Sequence, residues 1–392
     1  MSNATRAGRV AFRDRPLSSH AATTAPALPL ATQLKARAYG AGFDLAGIAT
    51  LGPADTAARF DAWLASGYAG TMTYMERHAA ERHDSRLPEP GMRSALVVGL
   101  NYGGRQPTGT VARYARGDDY HRVMWDMLAG LGTWLTEQNG SATRAYVDTG
   151  PVLERDLARR AGLGWFGKNT TLIHPRLGSF FFIGALFTDL ALDPDAPFED
   201  ERCGNCTRCL DACPTAAFTQ ARELDATRCI SYLTIELRGA IPTELRTGIG
   251  ELVYGCDICQ DVCPWNVKFS RDAALPSMAP HRTPPSPEPA ELLALDTDGF
   301  RARFRGTAIT RTKRTGLARN AAVAMGNRRD PRDVPALATA LRSDPESLVR
   351  SHAAWALGRF APDGSAHAHL EAARATEQDA AVLAEIGAAL AQ

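Results

Sequence analysis

Apolar and polar positions follow alternating helical and strand periods through the first half of the chain. Residues 30–40 have apolar side chains at helical spacing and end on glycine, and a short strand follows at 44–49. The next predicted elements are a buried strand, a helix and two further strands, at 94–100, 120–138, 144–147 and 180–190. Strands that alternate with helices predict an α/β layer domain over residues 30–195.

The C-terminal part of the chain contains an internal repeat. Asn-Ala-Ala-Val-Ala-Met-Gly at 320–326 matches His-Ala-Ala-Trp-Ala-Leu-Gly at 352–358, and a looser copy ends near Gly387. Each unit predicts a helix pair whose small-residue face stacks on the next pair, as in HEAT-like repeats. We expect this repeat domain over residues 291–392 to cap the rest of the protein, after a proline-rich linker at 276–290.

The first 29 residues have the composition of a disordered tail. Four arginines stand among Ala, Ser and Thr, a pattern faintly typical of a transit peptide, but no apolar segment suited to secretion accompanies them: Arg6, Arg9, Arg13 and Arg15. No stretch of the chain reaches the roughly 18 consecutive apolar residues that cross a bilayer. We therefore expect a cytoplasmic protein with a disordered tail over residues 1–29 and no membrane partner.

The overall charge of the chain is close to zero. There are 44 Lys and Arg residues against 43 Asp and Glu residues, so a nucleic-acid partner requires a local basic patch. Residues 301–329 supply one, since nine basic residues occur there without an acidic one: Arg301, Arg303, Arg305, Arg311, Lys313, Arg314, Arg319, Arg328 and Arg329. A solvated helix face is the alternative interpretation.

All eight cysteines lie between residues 203 and 263. The first run, at 203–214, is Cys-x2-Cys-x2-Cys-x3-Cys-Pro, the bacterial ferredoxin spacing in which the fourth cysteine ligates the other of two [4Fe-4S] clusters. The second run, at 256–264, is Cys-x2-Cys-x3-Cys-Pro, with one cysteine upstream. Exchange of the fourth cysteines predicts two ligand sets, namely Cys203, Cys206, Cys209 and Cys263 for one cluster, and Cys213, Cys229, Cys256 and Cys259 for the other.

Two zinc sites with four cysteines each are the alternative, because zinc also uses C-x2-C pairs. Three thiolates at i, i+3 and i+6 with a remote Cys-Pro suit three corners of a cubane cluster better than they suit a tetrahedral zinc ion. Disulfides are disfavoured because the cysteines are clustered and no export signal precedes them. We expect a ferredoxin-type domain with two clusters over residues 196–275, serving a redox site in the α/β domain.

Four long motifs, in order along the chain, resemble the epoxyqueuosine reductase family. They are Val-Asp-Thr-Gly-Pro-Val-Leu-Glu-Arg at 147–155, Ala-Gly-Leu-Gly-Trp-Phe-Gly-Lys-Asn-Thr at 161–170, Cys-Ile-Ser-Tyr-Leu-Thr-Ile-Glu at 229–236 and Tyr-Gly-Cys-Asp-Ile-Cys-Gln-Asp-Val-Cys-Pro-Trp-Asn at 254–266. The resemblance implies an α+β multidomain enzyme that reduces an epoxide on a tRNA base to an alkene. It also implies a cobalamin in the α/β domain, reduced by the two [4Fe-4S] clusters.

Asp148 is the candidate proton donor. Removal of an epoxide oxygen as water consumes two electrons and two protons, so an acid should protonate the oxygen as the C–O bond breaks. Asp148 ends a predicted strand and precedes Pro151, which favours a first helical turn, so we expect it where α/β sheets place ligands. The family resemblance implies the same role. The alternative is that Asp148 caps a helix that begins near Pro151.

The resemblance also implies a cobalamin pocket lined by Arg82, Asp148, Asn169, Leu172, Ile183, Ser231, Cys256 and Asp257. Three glycines around Trp165 indicate a loop where the backbone closely approaches a flat ligand: Gly162, Gly164 and Gly167. The chain has no Asp-x-His-x-x-Gly motif, because the sequence that begins at Asp119 lacks the glycine. We therefore expect no protein histidine on the lower face of the cobalt.

A tRNA with a queuosine precursor in its anticodon is the implied substrate. The predicted RNA contacts are Arg155, Arg238, Arg311, Lys313 and Arg314. Basic side chains would hold phosphates while the modified base, already unpaired in the anticodon loop, turns into the site. For Arg155, an ordinary surface arginine is the alternative.

Two other functions are compatible with iron–sulfur clusters. One is a cobalamin-dependent reductase of a small molecule, such as a reductive dehalogenase, but those enzymes usually carry a twin-arginine signal. The other is a non-enzymatic electron carrier with a helical docking platform, which would not need an α/β domain with the motif around Asp148. We expect a monomeric enzyme that receives electrons from a separate, unidentified donor.

Overall fold

The computed structural model describes residues 28–360 and 364–391. The predicted disordered tail therefore lies outside the described residues, except for Leu28 and Pro29. Within the described ranges, no helix has both the length and the apolar character that a membrane span requires.

The N-terminal domain contains the predicted elements in the predicted order. Its helices and strands are α1 (Leu30–Gly40), β1 (Leu45–Thr50), α2 (Ala57–Ala65), α3 (Thr73–Arg77), α4 (Ala79–His83), β2 (Ser94–Asn101), α5 (Tyr120–Asn139), β3 (Thr143–Tyr146), α6 (Glu154–Arg160), β4 (Trp165–Phe166), β5 (Leu172–Ile173) and β6 (Phe181–Thr188). The four long strands form a sheet in the order β1-β2-β6-β3, and each neighbouring pair is antiparallel.

This antiparallel sheet corrects one expectation. The rule that places ligands at the carboxyl ends of strands applies to open parallel sheets, so it does not account for the position of Asp148. Alternation of helices and strands along a sequence leaves strand direction open, because a long helical connection can return the chain in either direction.

Strand β2 shows why the sheet is covered on both faces. All of its residues are buried. Leu96 and Val98 belong to the main core, which includes residues of α1 and α5, whereas Ala95 and Val97 belong to a second core with residues of α6. Since successive side chains point to opposite faces, the continuous apolar run of β2 lies between two layers.

The cysteine-bearing domain is built from short elements. They are α7 (Arg208–Asp211), β7 (Phe218–Gln220), β8 (Glu223–Leu224), α8 (Ile230–Ile235), α9 (Thr243–Ile249), α10 (Ile258–Asp261) and α11 (Pro264–Phe269). The proline-rich segment that follows is an extended wrap over the N-terminal domain. Its Pro285 carbonyl accepts from the Val111 amide at 3.0 Å, and its Thr283 amide donates to the Arg116 carbonyl at 3.1 Å.

The C-terminal domain is entirely helical within the described residues. Its helices are α12 (Pro289–Leu293), α13 (Thr297–Phe304), α14 (Lys313–Arg328), α15 (Val334–Ser343), α16 (Ser347–Gly358), α17 (Gly364–Arg374) and α18 (Ala380–Leu390), and a 3-10 turn at Ala308–Thr312 leads into α14. A Cβ on Gly326 would lie 2.9 Å from Ala356 Cα, and one on Gly358 would lie 2.7 Å from Ala389 Cβ. The predicted stacking of small-residue faces is therefore confirmed.

Helix α14 is anchored in the cysteine-bearing domain by two buried polar side chains. Asn320 Nδ2 donates to the carbonyls of Thr234 and Val253, each at 2.8 Å. Arg319 is 0% exposed, and its guanidinium donates to the carbonyls of Leu233, Leu237 and Gly239. The first repeat helix is thus part of the interior, and Arg319 does not contribute to a surface basic patch.

We predict that Gly326→Ala lowers the free energy of unfolding by about 1–3 kcal/mol, because the added methyl group meets the backbone of α16. The matched control is Gly387→Ala in α18, where a Cβ has no neighbour within 4 Å. That substitution should raise stability by up to about 1 kcal/mol through helix propensity. Thermal or urea unfolding followed by circular dichroism tests the pair, and equal effects of the two substitutions would contradict the close crossing.

Candidate active site

Asp148 lies at the centre of a polar cluster that the fold assembles from α5 and the loop after β3. The hydroxyl of Tyr120 donates to Asp148 Oδ2 at 2.6 Å, and His121 Nε2 lies 3.7 Å from the same oxygen. The side chain of Asp148 is 64% exposed. Its backbone has φ +57°, a conformation that costs energy in a residue with a Cβ. A carboxylate is therefore held at an open site by two proton-bearing neighbours.

The structure overturns the alternative that Asp148 caps a helix. Helix α6 begins at Glu154, later than Pro151, and its N-cap residue is Leu153, which makes no side-chain capping bond. Glu154 instead reaches back, so that its Oε1 accepts from the Asp148 amide at 2.6 Å. This contact fixes the loop from the helix side and leaves the carboxylate of Asp148 free of a capping role.

His121 holds a proton beside Asp148. Burial disfavours its charged form, but hydrogen bonds to Asp119 and Asp148, together with their negative charges, raise the pKa of His121 to about 9. Its Nδ1 lies 2.8 Å from Asp119 Oδ1. Both ring nitrogens therefore face carboxylates, and His121 is positively charged at neutral pH.

The two carboxyl groups of the site titrate in opposite directions. The surrounding protein partly desolvates the carboxylate of Asp148 although one side stays open to solvent, and this works to raise its pKa. Hydrogen bonds from His121 and Tyr120 and the charges of His121 and Arg155 outweigh this effect and lower that pKa. For Glu154, burial and the neighbouring charge of Asp148 raise the pKa. Environments that separate the pKa values of adjacent acids are typical of acid–base sites.

The mouth of the site is formed by side chains from three domains. Arg311, in the turn before α14, pairs with Glu236 at 2.7 Å, and its guanidinium carbon lies 5.8 Å from the centre of the exposed Tyr74 ring. The pKa of Tyr74 is raised by burial and by the charges of Glu236 and Asp148. Arg311, in the basic segment before the repeats, and the carboxylate of Asp148 therefore both act on the charge state of Tyr74.

Arg155 and Arg238 are held by the backbone. Arg155 Nη1 donates to the carbonyl of Thr170 at 2.6 Å, while its charge acts on Asp148. Arg238 donates to the carbonyl of Arg311 at 2.8 Å and to that of Thr312. Arg155 therefore lies beside Asp148, and Arg238 supports the turn that carries Arg311.

Among the other predicted RNA contacts, Lys313 and Arg314 have opposite environments. Lys313 is exposed, and no ion pair is found for it in the described parts of the chain. Arg314 is half-buried, and its guanidinium pairs with the buried Asp344. Arg328 similarly pairs with Asp333 and Glu288. The basic run at 301–329 is therefore divided between exposed cations and cations already neutralised inside the protein.

Four cysteines surround one cavity. Cys203, Cys206, Cys209 and Cys263 line it together with Lys168, Asn169, Ile173, Pro264 and Trp265. Burial and the neighbouring charges of the other three cysteines raise the pKa of Cys209 to about 11. We name these four residues the outer cysteine set. They are the set that the crossed spacing predicts for one cluster.

The other four cysteines form the inner cysteine set: Cys213, Cys229, Cys256 and Cys259. Burial and the charges of Cys229 and Cys213 raise the pKa of Cys256 to about 12, and the pKa of Cys259 is raised by burial and by Cys256, Cys229 and Cys209. Cys209 therefore belongs to one set and influences the other. In residues 28–360 and 364–391, no three His, Cys, Asp or Glu side chains converge on a point for a single metal ion.

Aromatic side chains bridge the inner set and Asp148. Tyr254, two residues before Cys256, lies 6.0 Å from Tyr114 between ring centres, and Tyr114 lies 6.2 Å from Tyr120. The Tyr120 ring also stacks on Phe182 at 3.9 Å. The hydroxyl that contacts Asp148 is thus rigidly placed at the end of a packed route from the inner cysteines.

The segment after β4 connects the site with both cysteine sets. Lys168 Nζ donates to the carbonyl of Gly204 at 2.7 Å, and Asn169 Nδ2 donates to the carbonyl of Cys259 at 3.3 Å. The next residue, Thr170, accepts from Arg155. A short stretch of chain therefore fixes the cysteine-bearing domain against the neighbourhood of Asp148.

The glycines around Trp165 are required by close packing of the chain on itself, whereas we expected them to make room for a flat ligand. A Cβ on Gly164 would lie 2.2 Å from the Ile173 carbonyl oxygen, and one on Gly162 would lie 2.8 Å from the Ala196 carbonyl oxygen. On Gly167 it would meet the side chains of Asn169 and Ile173. These glycines allow chain segments to approach each other.

The remaining predicted cobalamin contacts have mixed environments. Arg82 is buried and donates to the carbonyls of Tyr74 and His78. Burial lowers its pKa, and the charges of Tyr74, Glu81 and Glu154 oppose that shift. Asp257 is buried against Arg113 at 3.1 Å. Leu172 is buried in the short hairpin β4–β5, whereas Ile183 and Ser231 are half-buried and leave surface available to a ligand.

Sequence reasoning missed several members of this site, namely Tyr74, Tyr120, Glu154 and Glu236, and it considered His121 only as a cobalt ligand. None stands in a spacing that signals chemistry. Packing of the three domains brings them together, and a positive φ at Asp148, Thr170 and Lys313 is visible only in the structure.

Three segments match known protein families. Residues 82–149 match the model of epoxyqueuosine reductase QueG, residues 202–266 match a 4Fe-4S double cluster binding domain, and residues 307–391 match HEAT repeats. The second match agrees with the iron–sulfur interpretation of the cysteine runs, and the third agrees with the helical repeats.

Curated relatives cover most of the chain. The epoxyqueuosine reductase of Pseudomonas aeruginosa is 39% identical over 361 residues, which span 88% of this chain and 98% of the relative. The epoxyqueuosine reductase of Escherichia coli is 39% identical over 343 residues, 84% of this chain and 89% of the relative.

Solved structures give the same result. An epoxyqueuosine reductase bound to an epoxyqueuosine-modified tRNA-Tyr stem loop superposes with a TM-score of 0.85 at 31% identity, covering 92% of this chain and 97% of the other. The Bacillus subtilis enzyme, with its catalytic aspartate loop swung out of the active site, gives 0.83 at 31% identity, covering 92% and 98%. Similarity at this level over nearly the full length establishes that this chain belongs to the epoxyqueuosine reductase family of oxidoreductases.

Proposed function

We propose that this chain reduces the epoxide of epoxyqueuosine in a tRNA anticodon to the alkene of queuosine, with Asp148 as the group that meets the epoxide oxygen. The observation that carries the proposal is the open carboxylate of Asp148, held between the Tyr120 hydroxyl and the His121 imidazolium. The supporting context is family membership and the two cysteine sets in the same chain.

The cysteine sets fit two [4Fe-4S] clusters. Soft thiolate donors suit iron–sulfur clusters, and the outer set surrounds one cavity. We assign the outer set to one cluster and the inner set to the other. The exchange of Cys213 and Cys263 between the two runs would hold the clusters close together, because each run then contributes to both ligand sets.

A cobalamin beside Asp148 is the cofactor that family membership implies. The residues present are compatible with this cofactor. Ile183 and Ser231 are only half-buried, and the carboxylate of Asp148 faces open space. Leu172, Asn169, Arg82, Cys256 and Asp257 would complete the pocket, chiefly through backbone and packing contacts. When bound, cobalamin supplies the low-potential electrons that the deoxygenation consumes.

The chain's own residues account for the protons. Two protons leave with the epoxide oxygen as water, and the groups around Asp148 that hold protons at neutral pH are Tyr120, His121 and Glu154. A substrate that covers Asp148 removes water from it, which favours the protonated carboxyl group. Asp148 would then donate to the epoxide oxygen and recover a proton from His121.

The mouth fits an anticodon loop. Tyr74 offers an exposed ring for a base that has turned out of the loop, and exposed cations offer contacts for phosphates. We place Arg311 and Lys313 among these cations, with Arg155 beside Asp148 and Arg238 as a support for the turn. Arg314 is better explained as a structural partner of Asp344.

The direct test is an anaerobic assay on epoxyqueuosine tRNA, with and without added cobalamin. We predict turnover only with cobalamin, and a fall in kcat of about 10²–10⁴ for Asp148→Asn, because the amide cannot donate an acidic proton. Asparagine tolerates the positive φ of this position, so thermal stability and tRNA affinity should remain unchanged. Full activity of a folded Asp148→Asn enzyme would exclude the donor role.

The proton supply gives a pH dependence. We predict that kcat/KM falls as pH rises through about 9, where His121 loses its proton. In His121→Gln this alkaline limb should disappear and the rate at pH 7 should be lower throughout. A profile recorded from pH 6 to 10 with both enzymes tests the assignment, and an unchanged alkaline limb in the variant would assign it to another group.

The RNA surface can be tested by the salt dependence of tRNA binding. Arg311→Ala with Lys313→Ala should reduce the slope of log affinity against log salt by about 1–2, since each phosphate contact contributes close to one. The control, Arg314→Ala, should leave the slope unchanged but cost about 3–5 kcal/mol of stability, because it leaves the buried Asp344 unpaired. If only Arg314→Ala reduced the slope, Arg314 would be the phosphate contact, and Arg311 and Lys313 would not.

A further inference from the structure

Asp148 lies at the centre of a tight three-residue turn. The Val147 carbonyl accepts from the Thr149 amide at 2.6 Å, and Asp148 between them has φ +57°. A turn of this kind with a positive φ is strained in a residue that carries a Cβ. The turn therefore depends on contacts from the surrounding structure.

The segment around Asp148 has few hydrogen bonds of its own. Within the described residues, the backbone amides of residues 148–153 make two hydrogen bonds. One is the Thr149 bond inside the turn, and the other runs from the Asp148 amide to Glu154 Oε1 at 2.6 Å. The Glu154 contact is therefore the bond through which these amides tie the turn to helix α6.

Asp148 is held at both ends. Its carboxylate Oδ2 accepts from the Tyr120 hydroxyl at 2.6 Å and lies 3.7 Å from His121 Nε2, and both of these residues are on α5. Its amide, by contrast, is held from α6 by Glu154. Because the side chain of Asp148 is 64% exposed, it has open space to move into. Release of the amide would let the carboxylate leave its two proton-bearing neighbours.

Glu154 can hold the amide without carrying a charge. Burial and the charge of Asp148 raise the pKa of Glu154 to about 8, although the charges of Arg155 and His121 act in the opposite direction. The group is therefore mostly a neutral carboxyl at pH 7, and its carbonyl oxygen still accepts a hydrogen bond. A neutral acceptor also avoids a second negative charge beside the Asp148 carboxylate. The contact requires the reach of the side chain and not its acidity.

We propose that Glu154 is a positioning residue for the reaction, which accepts from the Asp148 amide and so keeps the Asp148 carboxylate at Tyr120 and His121. This inference rests on the proposed function, because it requires Asp148 to be the group that meets the epoxide oxygen. It gives Glu154 no part in proton transfer. The alternative is that Glu154 serves only helix α6, as an acidic residue in its first turn.

Two matched substitutions separate reach from acidity. Glu154→Gln keeps the length of the side chain and a carbonyl oxygen but removes the acid, whereas Glu154→Asp keeps the acid and is shorter by one methylene group. We expect kcat on epoxyqueuosine tRNA to fall about 10–100-fold in Glu154→Asp and to stay within about threefold of the wild type in Glu154→Gln, with similar KM values for tRNA. The reverse order of the two rates would make Glu154 an acid, and wild-type rates in both variants would show that the turn needs no partner.

The pKa of His121 reports the position of Asp148 without any turnover. NMR of labelled histidines in the full chain, without cobalamin or tRNA, gives this pKa, and the loss of the signal in His121→Gln assigns it. The Asp148 carboxylate helps to raise the pKa of His121 to about 9. We therefore expect that pKa to fall toward its ordinary value of 6.5 in Glu154→Asp, as in Asp148→Asn, and to stay high in Glu154→Gln. An unchanged pKa of His121 in a folded Glu154→Asp protein would overturn the positioning role.

Asp148→Asn separates this inference from the proposed function. If Asp148→Asn retained full activity, the donor role would fail, and no positioning role for the reaction would remain whatever the pKa of His121. If Asp148→Asn lost activity while Glu154→Asp kept both the wild-type kcat and the wild-type pKa of His121, the proposed function would stand and the inference about Glu154 would be wrong.

Discussion

The fold depends on a buried polar junction at Thr234, where helix α14 meets the inner cysteines. The Thr234 carbonyl accepts from Asn320 Nδ2 and from Thr312 Oγ1, while its hydroxyl accepts from the Gly255 amide. Loss of one partner would leave a buried polar group unsatisfied, at a cost of about 1–3 kcal/mol. Because Gly255 precedes Cys256 and Thr312 follows Arg311, this junction fixes a cysteine of the inner set and the mouth of the site with respect to each other.

The chemistry is concentrated where the three domains meet. The N-terminal domain contributes Asp148 and His121, the cysteine-bearing domain contributes Glu236, and the turn before the repeats contributes Arg311. Each of these groups changes the charge around the next, so that protons are held next to an open carboxylate. The N-terminal domain alone would keep Tyr120 and His121 beside Asp148, but it would lack Glu236 and Arg311 at the mouth of the site. The helical repeats therefore complete the site as well as capping the protein.

Much of the fold followed from local patterns. Helix α1 has the predicted bounds, and helix α5 and strand β2 each extend one residue beyond their predicted ends, because their apolar periods are long and unbroken. The repeat was visible because Gly326 and Gly358 occupy equivalent crossings. Strand direction was not visible in the sequence. The burial of Arg319 was not visible either, since an arginine in a basic run has the same sequence signal whether it faces solvent or a set of backbone carbonyls.

The sequence by itself identified the family and predicted the two cysteine sets, because long contiguous motifs and ligand spacing are properties of the chain. It also pointed to Asp148, through the family resemblance and through a sheet-edge argument that the structure replaces. Only the tertiary structure decided which groups surround Asp148, which basic residues remain free, and which cysteine set lies outermost. Those properties arise from side chains far apart in sequence that burial brings together, and burial changes both their charge and their available partners.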